Sequence, residues 1–183
     1  MYLSRDLPIS DPKQEAFRYQ PFIDLRKNIA QVIAGYTMIA IQKNILLDIF
    51  VSHETPNYFQ GDLTVFSELL SELLKHCIES LAEGEICIRI DHESIHKKNN
   101  CDTELAIIIT TYNSVEVNNL SEYNHLPSIF NEEEKRGALR TFASILRIQR
   151  LCRYFTGDIK KQKLDGRKTQ YSIALVLQRA YHS

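Results

Sequence analysis

Glu72 and His76 are the residues whose types and spacing could support chemistry most directly. They lie four residues apart in a segment predicted to be helical, which places both side chains on one helix face. A histidine beside a carboxylate could accept a phosphoryl group or bind a soft metal ion. No second His or Cys lies within one turn on that face, so the sequence predicts no metal site and favours a structural role for His76.

The overall composition excludes several classes of function. The 183 residues include 22 Lys and Arg against 23 Asp and Glu, which removes any broad electrostatic attraction to nucleic acid. The six glycines are scattered, so no glycine-rich phosphate loop is present. The four cysteines form no CxxC pair, and no apolar run approaches the roughly 18 residues of a membrane span. We therefore expect a cytoplasmic protein with free, mostly buried thiols that binds neither nucleic acid nor membranes.

The hydrophobic pattern predicts an N-terminal arm over residues 1–20 and a single domain over residues 21–183. Apolar residues at steps of three and four predict helices, whereas β-branched or alternating runs predict strands. The predicted helices cover residues 22–43, 62–83 and 136–155. The predicted strands cover residues 45–51, 85–90, 104–111, 158–164 and 168–177.

The segments between these elements also carry information. Residues 55–61 are predicted to be a loop, residues 92–102 a polar turn, and residues 112–136 a lid-like connection. Asp62 is the expected N-cap of the second helix. The order of elements predicts an α/β (α+β) two-layer sandwich, in which a mixed, mainly antiparallel sheet of about five strands is covered on one face by about three helices.

Several stretches of the chain resemble the ATP-binding domain of sensor histidine kinases, which belongs to the superfamily of gyrase, large heat-shock chaperones and mismatch-repair ATPases. Gly61-Asp62 followed by residues 69–78 resembles the N box of that family, and residues 84–90 resemble the next strand. Residues 148–159 and 165–175 resemble its last helix, the strand after it and the closing hairpin. The resemblance extends over about residues 18–178 and implies the same two-layer fold.

The resemblance also implies a nucleotide pocket, and the chain departs from the family's pattern there. In the N box, Glu72 takes the first position and His76 takes the position of the Asn that ligates magnesium. Histidine is a poor ligand for Mg²⁺, which prefers oxygen. The strand end that supplies an adenine-binding Asp with adjacent glycines carries Thr111 and Asn113 instead.

A third departure lies at the glycine-rich entry to the last helix. Phe142 and Ser144 stand where the family has glycines, and side chains there would keep backbone amides away from a triphosphate. We therefore expect no cofactor, and we expect Mg-ATP only if an altered pocket still binds it.

Arginines on the third helix form the candidate partner-binding surface. Arg140, Arg147, Arg150 and Arg153 recur at steps of three and seven, which keeps them near one side of the helix. Such a face is usually solvated, but it could also dock an acidic partner. The acidic pocket of a response-regulator receiver domain has the required charge.

The sequence thus favours a stand-alone, pseudokinase-like module of the histidine-kinase ATPase fold that regulates a phosphorelay or similar pathway through protein contacts. Its expected partner is a response regulator, a histidine kinase or a second copy in a homodimer. Two alternatives stay open. One is a nucleotide-binding protein kinase of the anti-sigma or histidine-kinase type that retains Glu72 as a base, and the other is a phosphotransfer protein that uses His76.

Overall fold

The strands of this protein form one mixed sheet, and three helices pack against one of its faces. The computed structural model describes residues 22–97, 100–114 and 132–180. In chain order the elements are β1 (Phe22–Asp24), α1 (Leu25–Gln42), β2 (Ile45–Val51), β3 (Tyr58–Gln60), α2 (Leu63–Ser80), β4 (Gly84–Lys97), β5 (Asn100–Asn113), α3 (Glu132–Tyr154), β6 (Asp158–Lys163) and β7 (Lys168–Arg179). The predicted two-layer sandwich is therefore confirmed, with seven strands in place of about five.

The strand order across the sheet is β1-β3-β7-β5-β4-β2, and β6 pairs with β7 beside β3. The β2–β4 pair is parallel, whereas the other strand pairs are antiparallel. β2 lies at one end of this order and pairs only with β4 among the described strands. Within the described ranges, no helix is both long enough and apolar enough to cross a membrane.

Side chains alternate along the central strands, so every second residue points toward the helices. Ile88 of β4 lies opposite Ile109 of β5, which in turn lies opposite Tyr171 of β7. Such cross-strand rows of large side chains stabilise the sheet and form the floor of the core. The other buried members of this floor are Ile86, Ile90, Leu105, Ile107, Ile173, Leu175 and Leu177.

α2 is the middle helix of the covering layer, with contacts to both α1 and α3. The Asp62 carboxylate accepts hydrogen bonds from the backbone N–H of Thr64 at 2.8 Å and of Val65 at 3.2 Å, so the expected N-cap is confirmed. The buried side chains of α2 are Phe66, Leu69, Leu70, Leu73, Leu74, His76, Cys77 and Ile78. Because these residues cover the centre of the sheet, their side chains fill most of the space between α2 and the sheet.

Two short strands were not anticipated from the sequence. Residues 22–24, predicted as the first turn of a helix, form β1, and the Asp24 carboxylate then caps α1 by accepting from the Lys27 N–H at 3.2 Å. Residues 58–60, predicted as loop, form β3 and pair with β1 and with the end of β7. Both strands are three residues long, which is too short for a visible alternation of side chains.

The β4–β5 hairpin is longer than predicted. The expected polar turn over residues 92–102 is wrong, because β4 continues to Lys97 and β5 begins at Asn100. Backbone hydrogen bonds hold such a ladder together without an apolar pattern of side chains. The expectations for residues 1–20 and for residues 115–131 of the lid-like connection lie outside the described residues.

Gly84, at the start of β4, occupies a backbone position that excludes a side chain. Its φ is +140°, and a Cβ atom added there would lie 2.0 Å from the carbonyl oxygen of Tyr112. Gly166, in the β6–β7 turn, has no neighbouring atom within 4 Å of an added Cβ. The two glycines therefore form a matched pair for a stability test.

We expect Gly84→Ala to lower the free energy of unfolding by about 2 kcal/mol or more, because backbone strain and a clash with a carbonyl oxygen add together. Gly166→Ala should change it by less than about 0.5 kcal/mol. Urea unfolding followed by circular dichroism measures both values. Equal losses in the two variants would contradict the steric role of Gly84.

Candidate functional site

The interior between α2 and the sheet contains a polar pair, His76 and Tyr171. His76 is 3% exposed, and its Nε2 atom lies 3.0 Å from the Tyr171 hydroxyl. The two rings meet edge to face, with centroids 5.3 Å apart and an interplanar angle of 90°. The Lys161 Nζ atom, on the neighbouring strand β6, lies 5.8 Å from the centre of the Tyr171 ring. The contact gives each of these two buried polar groups a hydrogen-bond partner.

Burial sets the protonation states of this pair. Removal from water, and secondly the positive charge of Lys161, lower the pKa of His76 to about 4. Burial also raises the pKa of the Tyr171 hydroxyl well above its usual range. Both side chains are therefore neutral near pH 7. A neutral, buried imidazole whose Nε2 is already hydrogen-bonded is poorly placed to meet an external phosphoryl group.

The buried thiols offer no nucleophile near this pair. Burial raises the pKa of both Cys77 and Cys152 to about 12, so neither forms the reactive thiolate near neutral pH. Among the residues that the structure describes, no cluster of three or more His, Cys, Asp and Glu side chains could hold a metal ion.

Glu72 faces a different environment from His76. Its side chain is 15% exposed, and its Oε1 atom lies 3.2 Å from Nη1 of Arg147 on α3. Arg147 also donates from Nε to the Glu68 Oε1 atom at 3.2 Å, and these two carboxylates raise the pKa of the guanidinium, the Glu68 hydrogen bond most of all. The two residues four apart on α2 thus diverge: Glu72 points toward α3, whereas His76 points toward the sheet.

Thr111 and Asn113 lie at the end of β5, and both are buried. The Thr111 hydroxyl donates to the backbone oxygen of Thr169 at 3.3 Å, and the Asn113 N–H donates to the backbone oxygen of Arg167 at 3.0 Å. Alternation along β5 places both side chains on the helix-facing side, at the same end of the sheet as Tyr171. The structure thus brings the polar residues predicted from β5 to the end of the sheet where His76 is buried.

Ser144 and Phe142 of α3 differ in their placement. Ser144 lines a groove of about 420 Å³ between α2 and α3, whose other lining residues are Glu72, Lys75, Glu79, Arg140, Ala143 and Arg147. Phe142 is 63% exposed and does not line this groove. Of these two pocket candidates from the sequence, the structure therefore places only Ser144 in this groove.

The exposed side of α3 carries three large apolar residues, of which only Phe142 was singled out from the sequence, and for a different role. Leu139, Phe142 and Leu146 recur at steps of three and four, and all three are exposed. They form a second apolar stripe, beside the stripe of Ile148 and Cys152 that packs into the core. The spacing was visible in the sequence, but two stripes on one helix leave open which of them faces the core.

Two of the predicted arginines, Arg150 and Arg153, are exposed beside this stripe. Arg140 is also exposed, but it lines the groove of about 420 Å³ together with Arg147, which is tied to the two glutamates of α2. A second groove, of about 630 Å³, runs between α2 and the C-terminal half of α3 and is lined by Val65, Glu68, Leu146, Arg147, Arg150, Leu151 and Tyr154. We call the set Leu139, Phe142, Leu146, Arg150, Arg153 and Tyr154 the α3 outer surface.

Comparison with known proteins gives matches at the level of structure. No protein-family model matches the sequence, and no curated protein matches it. The histidine kinase AdeS of Acinetobacter baumannii aligns with a TM-score of 0.56 and 13% identity, over 88% of this chain and 68% of that one. The mycobacterial sensor histidine kinase MprB aligns with a TM-score of 0.56 and 12% identity, over 88% of this chain and 99% of that one.

A third match, the cytoplasmic segment of the histidine kinase QseC, aligns with a TM-score of 0.55 and 10% identity, over 90% of this chain and 82% of that one. The arrangement of three helices on one face of a mixed sheet thus defines a two-layer sandwich of the ATPase-domain class. The chain has the histidine-kinase ATPase-domain fold that its sequence predicts. Sequence identities as low as these establish a shared fold and do not establish a shared function.

The buried histidine generates a prediction about pH. His76 takes up a proton near pH 6.5 in the unfolded chain and only near pH 4 in the folded one. The unfolded state therefore binds more protons in this window, and stability falls as the pH drops through it, by about 3 kcal/mol in total. His76→Gln should flatten this dependence when urea unfolding is compared at about pH 7.5 and about pH 5.

The exposed His53 provides the control for this prediction. His53→Gln should retain the wild-type slope of stability against pH, because it removes an exposed imidazole and leaves the buried His76–Tyr171 pair intact. If His76→Gln shows the same slope as His53→Gln, the neutral buried state of His76 is wrong.

Proposed function

We propose that this protein is a protein-interaction module built on the histidine-kinase ATPase fold, which acts by contact in a phosphorelay or similar signalling pathway. The α3 outer surface is the single observation that carries the proposal. It combines three exposed apolar side chains, at Leu139, Phe142 and Leu146, with exposed arginines. Contiguous apolar side chains rimmed by charge are typical of sites that bind another protein.

The charge of this surface indicates an acidic partner. Arg150 and Arg153 lie one helical turn apart on the same side as Leu146, so a partner that covers the leucine also meets two guanidinium groups. Complementary charge speeds the encounter of two proteins and fixes their register. A response-regulator receiver domain, with its acidic pocket, is the partner that we favour over a histidine kinase.

The contacts of Arg147 support an interaction role over a catalytic one. The Arg147 side chain crosses from α3 to both Glu68 and Glu72 of α2, and so joins the two walls of the groove between these helices. A nucleotide bound there would meet an Arg147 already engaged by two carboxylates. The end of β5 offers Thr111 and Asn113, but no carboxylate for an adenine amino group.

The geometry does not favour the phosphotransfer alternative. A phosphoacceptor imidazole must be reached by an aspartyl phosphate on another protein, whereas His76 is buried beneath α2 with Nε2 hydrogen-bonded to Tyr171. Phosphorylation at His76 would require α2 to leave the sheet, and the burial of Leu73 and Cys77 on either side of His76 opposes this.

Substitutions on the α3 outer surface test the proposal. We expect Phe142→Ala and Arg153→Glu each to weaken binding to the cognate receiver domain by about tenfold or more, measured by calorimetry. Both side chains are exposed, so the melting temperature should not change. Lys27→Glu, an equal charge reversal at an exposed position near the start of α1, should bind like the wild type.

Retention of wild-type affinity in both α3 variants would overturn the assignment of this surface. Loss of affinity in Lys27→Glu as well would show that net charge, and not the α3 outer surface, governs the association. Absence of any binding to receiver domains by the wild type would exclude the favoured partner class.

A nucleotide-binding kinase is the second candidate, and the groove of about 420 Å³ favours it. Three cationic side chains, Lys75, Arg140 and Arg147, line this groove beside Ser144, and cations of this kind bind phosphates. Glu72, in the same groove, would be the base. A structural neighbour of the chain, ShkA, was solved in complex with AMPPNP, at 13% identity, a TM-score of 0.59 and over 32% of its own length.

Thermal denaturation separates the two candidates. A ligand that binds only the folded state must stabilise it, so a nucleotide-binding protein would gain several degrees in melting temperature at millimolar Mg-ATP. We expect a change of less than about 1 °C for the wild type. We expect Arg147→Ala to behave in the same way, because the β5 end still lacks an adenine-binding carboxylate. A rise of several degrees in the wild type would favour the kinase.

A further inference from the structure

The end of the molecule formed by α1 and β2 exposes a second group of large apolar side chains, distant in sequence from α3. Five of them fall within residues 38–50, namely Met38, Ile39, Ile41, Leu46 and Phe50. Met38 is 65% exposed on α1, and Leu46 and Phe50 are 63% and 53% exposed on the sheet face that the helices do not cover. A concentration of this kind in one helix–strand unit is typical of an interface.

The outer edge of β2 presents backbone groups that pair with no strand in the described part of the chain. The Gly84 N–H donates to the Asn44 oxygen, and the Ser52 N–H donates to the Ile90 oxygen, so even-numbered residues of β2 point their backbone groups toward β4. Alternation along a strand then directs the N–H and C=O groups of the odd-numbered residues outward. These residues are Ile45, Leu47, Ile49 and Val51, and no described strand lies on the edge to which their backbone groups point. An open edge of this length is a template for another strand.

The sequence of β2 matches itself when it is reversed. About Asp48, Leu47 lies symmetrically with Ile49, Leu46 with Phe50, and Ile45 with Val51, so each pair is apolar in both members. We propose that two copies of this chain associate through β2, paired antiparallel about a two-fold axis at Asp48. The outward-pointing residues of each copy then form the hydrogen-bonded pairs of a continuous sheet.

α1 has the character that a two-fold interface requires. Its residues 28–42 include no Asp, Glu, Lys, Arg or His. A charge close to a two-fold axis meets the same charge on the other copy, which is unfavourable, so an uncharged helix suits contact with its own copy. α1 contacts both β2 and α2, and its C-terminal half leaves Met38, Ile39 and Ile41 exposed.

Asp48 is the one charged residue of β2, and in this pairing it lies opposite Asp48 of the other copy. Directly opposed like charges destabilise a strand pair. Arg89 of β4 lies near this charge: its guanidinium carbon lies 5.7 Å from the centre of the Phe50 ring, and its Nη2 atom also pairs with the Asp91 carboxylate at 3.5 Å. Phe50 of one copy is a diagonal neighbour of Asp48 in the other, which brings that guanidinium toward the two carboxylates.

The solution mass of the full chain tests the proposal. Light scattering after size exclusion should give twice the monomer mass of 21.2 kDa at about 50 μM protein. Leu47→Pro removes one outward N–H, which β4 does not use, and should raise the dissociation constant of the dimer at least about thirtyfold. Leu47→Ala is the matched control. It removes the same side chain but keeps the N–H, and it should remain dimeric.

The α3 variant Arg153→Glu should also remain dimeric, because the dimer surface and the α3 outer surface are separate. A monomeric wild type, or a dimer that survives in Leu47→Pro, would overturn the proposal. A dimer abolished by Arg153→Glu would place the self-contact on α3 instead, and would likewise overturn it. These outcomes do not depend on whether a receiver domain binds, so each of the two proposals can fail alone.

Amide hydrogen exchange distinguishes a second copy from other occupants of the same edge. The N–H groups of Leu47 and Ile49 should exchange more slowly as the protein concentration rises, whereas that of Asp48, bonded to β4, should not change. Protection of Leu47 and Ile49 that is independent of concentration in a monomeric protein would mean that another segment of the chain covers the edge. That result would overturn the self-association.

Discussion

α2 packs against the sheet so closely that the two polar groups between them, His76 and Tyr171, hydrogen-bond each other. A buried polar group without a partner costs more than the hydrogen bond itself contributes, so each of these side chains holds the other in place. Phe66, Leu69 and Leu73 fill the remaining space beneath the helix. The layer that would have to open for a ligand to lie between α2 and the sheet is therefore occupied by the protein's own side chains.

Because the space between α2 and the sheet is filled, the binding surfaces that we propose lie on the outside of the molecule. The carboxylates of Glu68 and Glu72 leave the inner face of α2 and meet Arg147, which joins α2 to α3. Exposed ion pairs of this type contribute little to stability, so their main effect is to fix the relative position of the two helices. The exposed side of α3 and the α1–β2 end of the molecule each carry several large exposed apolar residues. The first is basic and suits an acidic partner, whereas the second is nearly uncharged and suits its own copy.

Local patterns were sufficient to predict much of the fold. β2 has the predicted bounds of residues 45–51, because a β-branched run between a helix and a loop is unambiguous. The Asp62 cap and the buried stripe of α2 follow from helical periodicity for the same reason. β1 and β3 escaped prediction, since each is only three residues long and depends on pairing with a distant strand.

The candidate site was less predictable, because its contacts join residues that are far apart in the chain. His76 could be selected from the sequence, but its partner Tyr171 lies 95 residues away and is brought there by the register of β5 with β7. Glu68 and Arg147 are separated by 79 residues, so their ion pair could not be predicted from the sequence either. The exposure of Phe142 followed from the choice between two apolar stripes on α3, which depends on tertiary packing.

Photo-crosslinking in the native host tests the central claim, contact through the α3 outer surface, most directly. A photoreactive phenylalanine analogue placed at Phe142 should crosslink to an acidic signalling protein, and the yield should fall when Arg150 and Arg153 are both changed to Glu. The same analogue at the exposed His53 should give no such product. No crosslink at position 142, or one that is unaffected by the two charge reversals, would contradict the account.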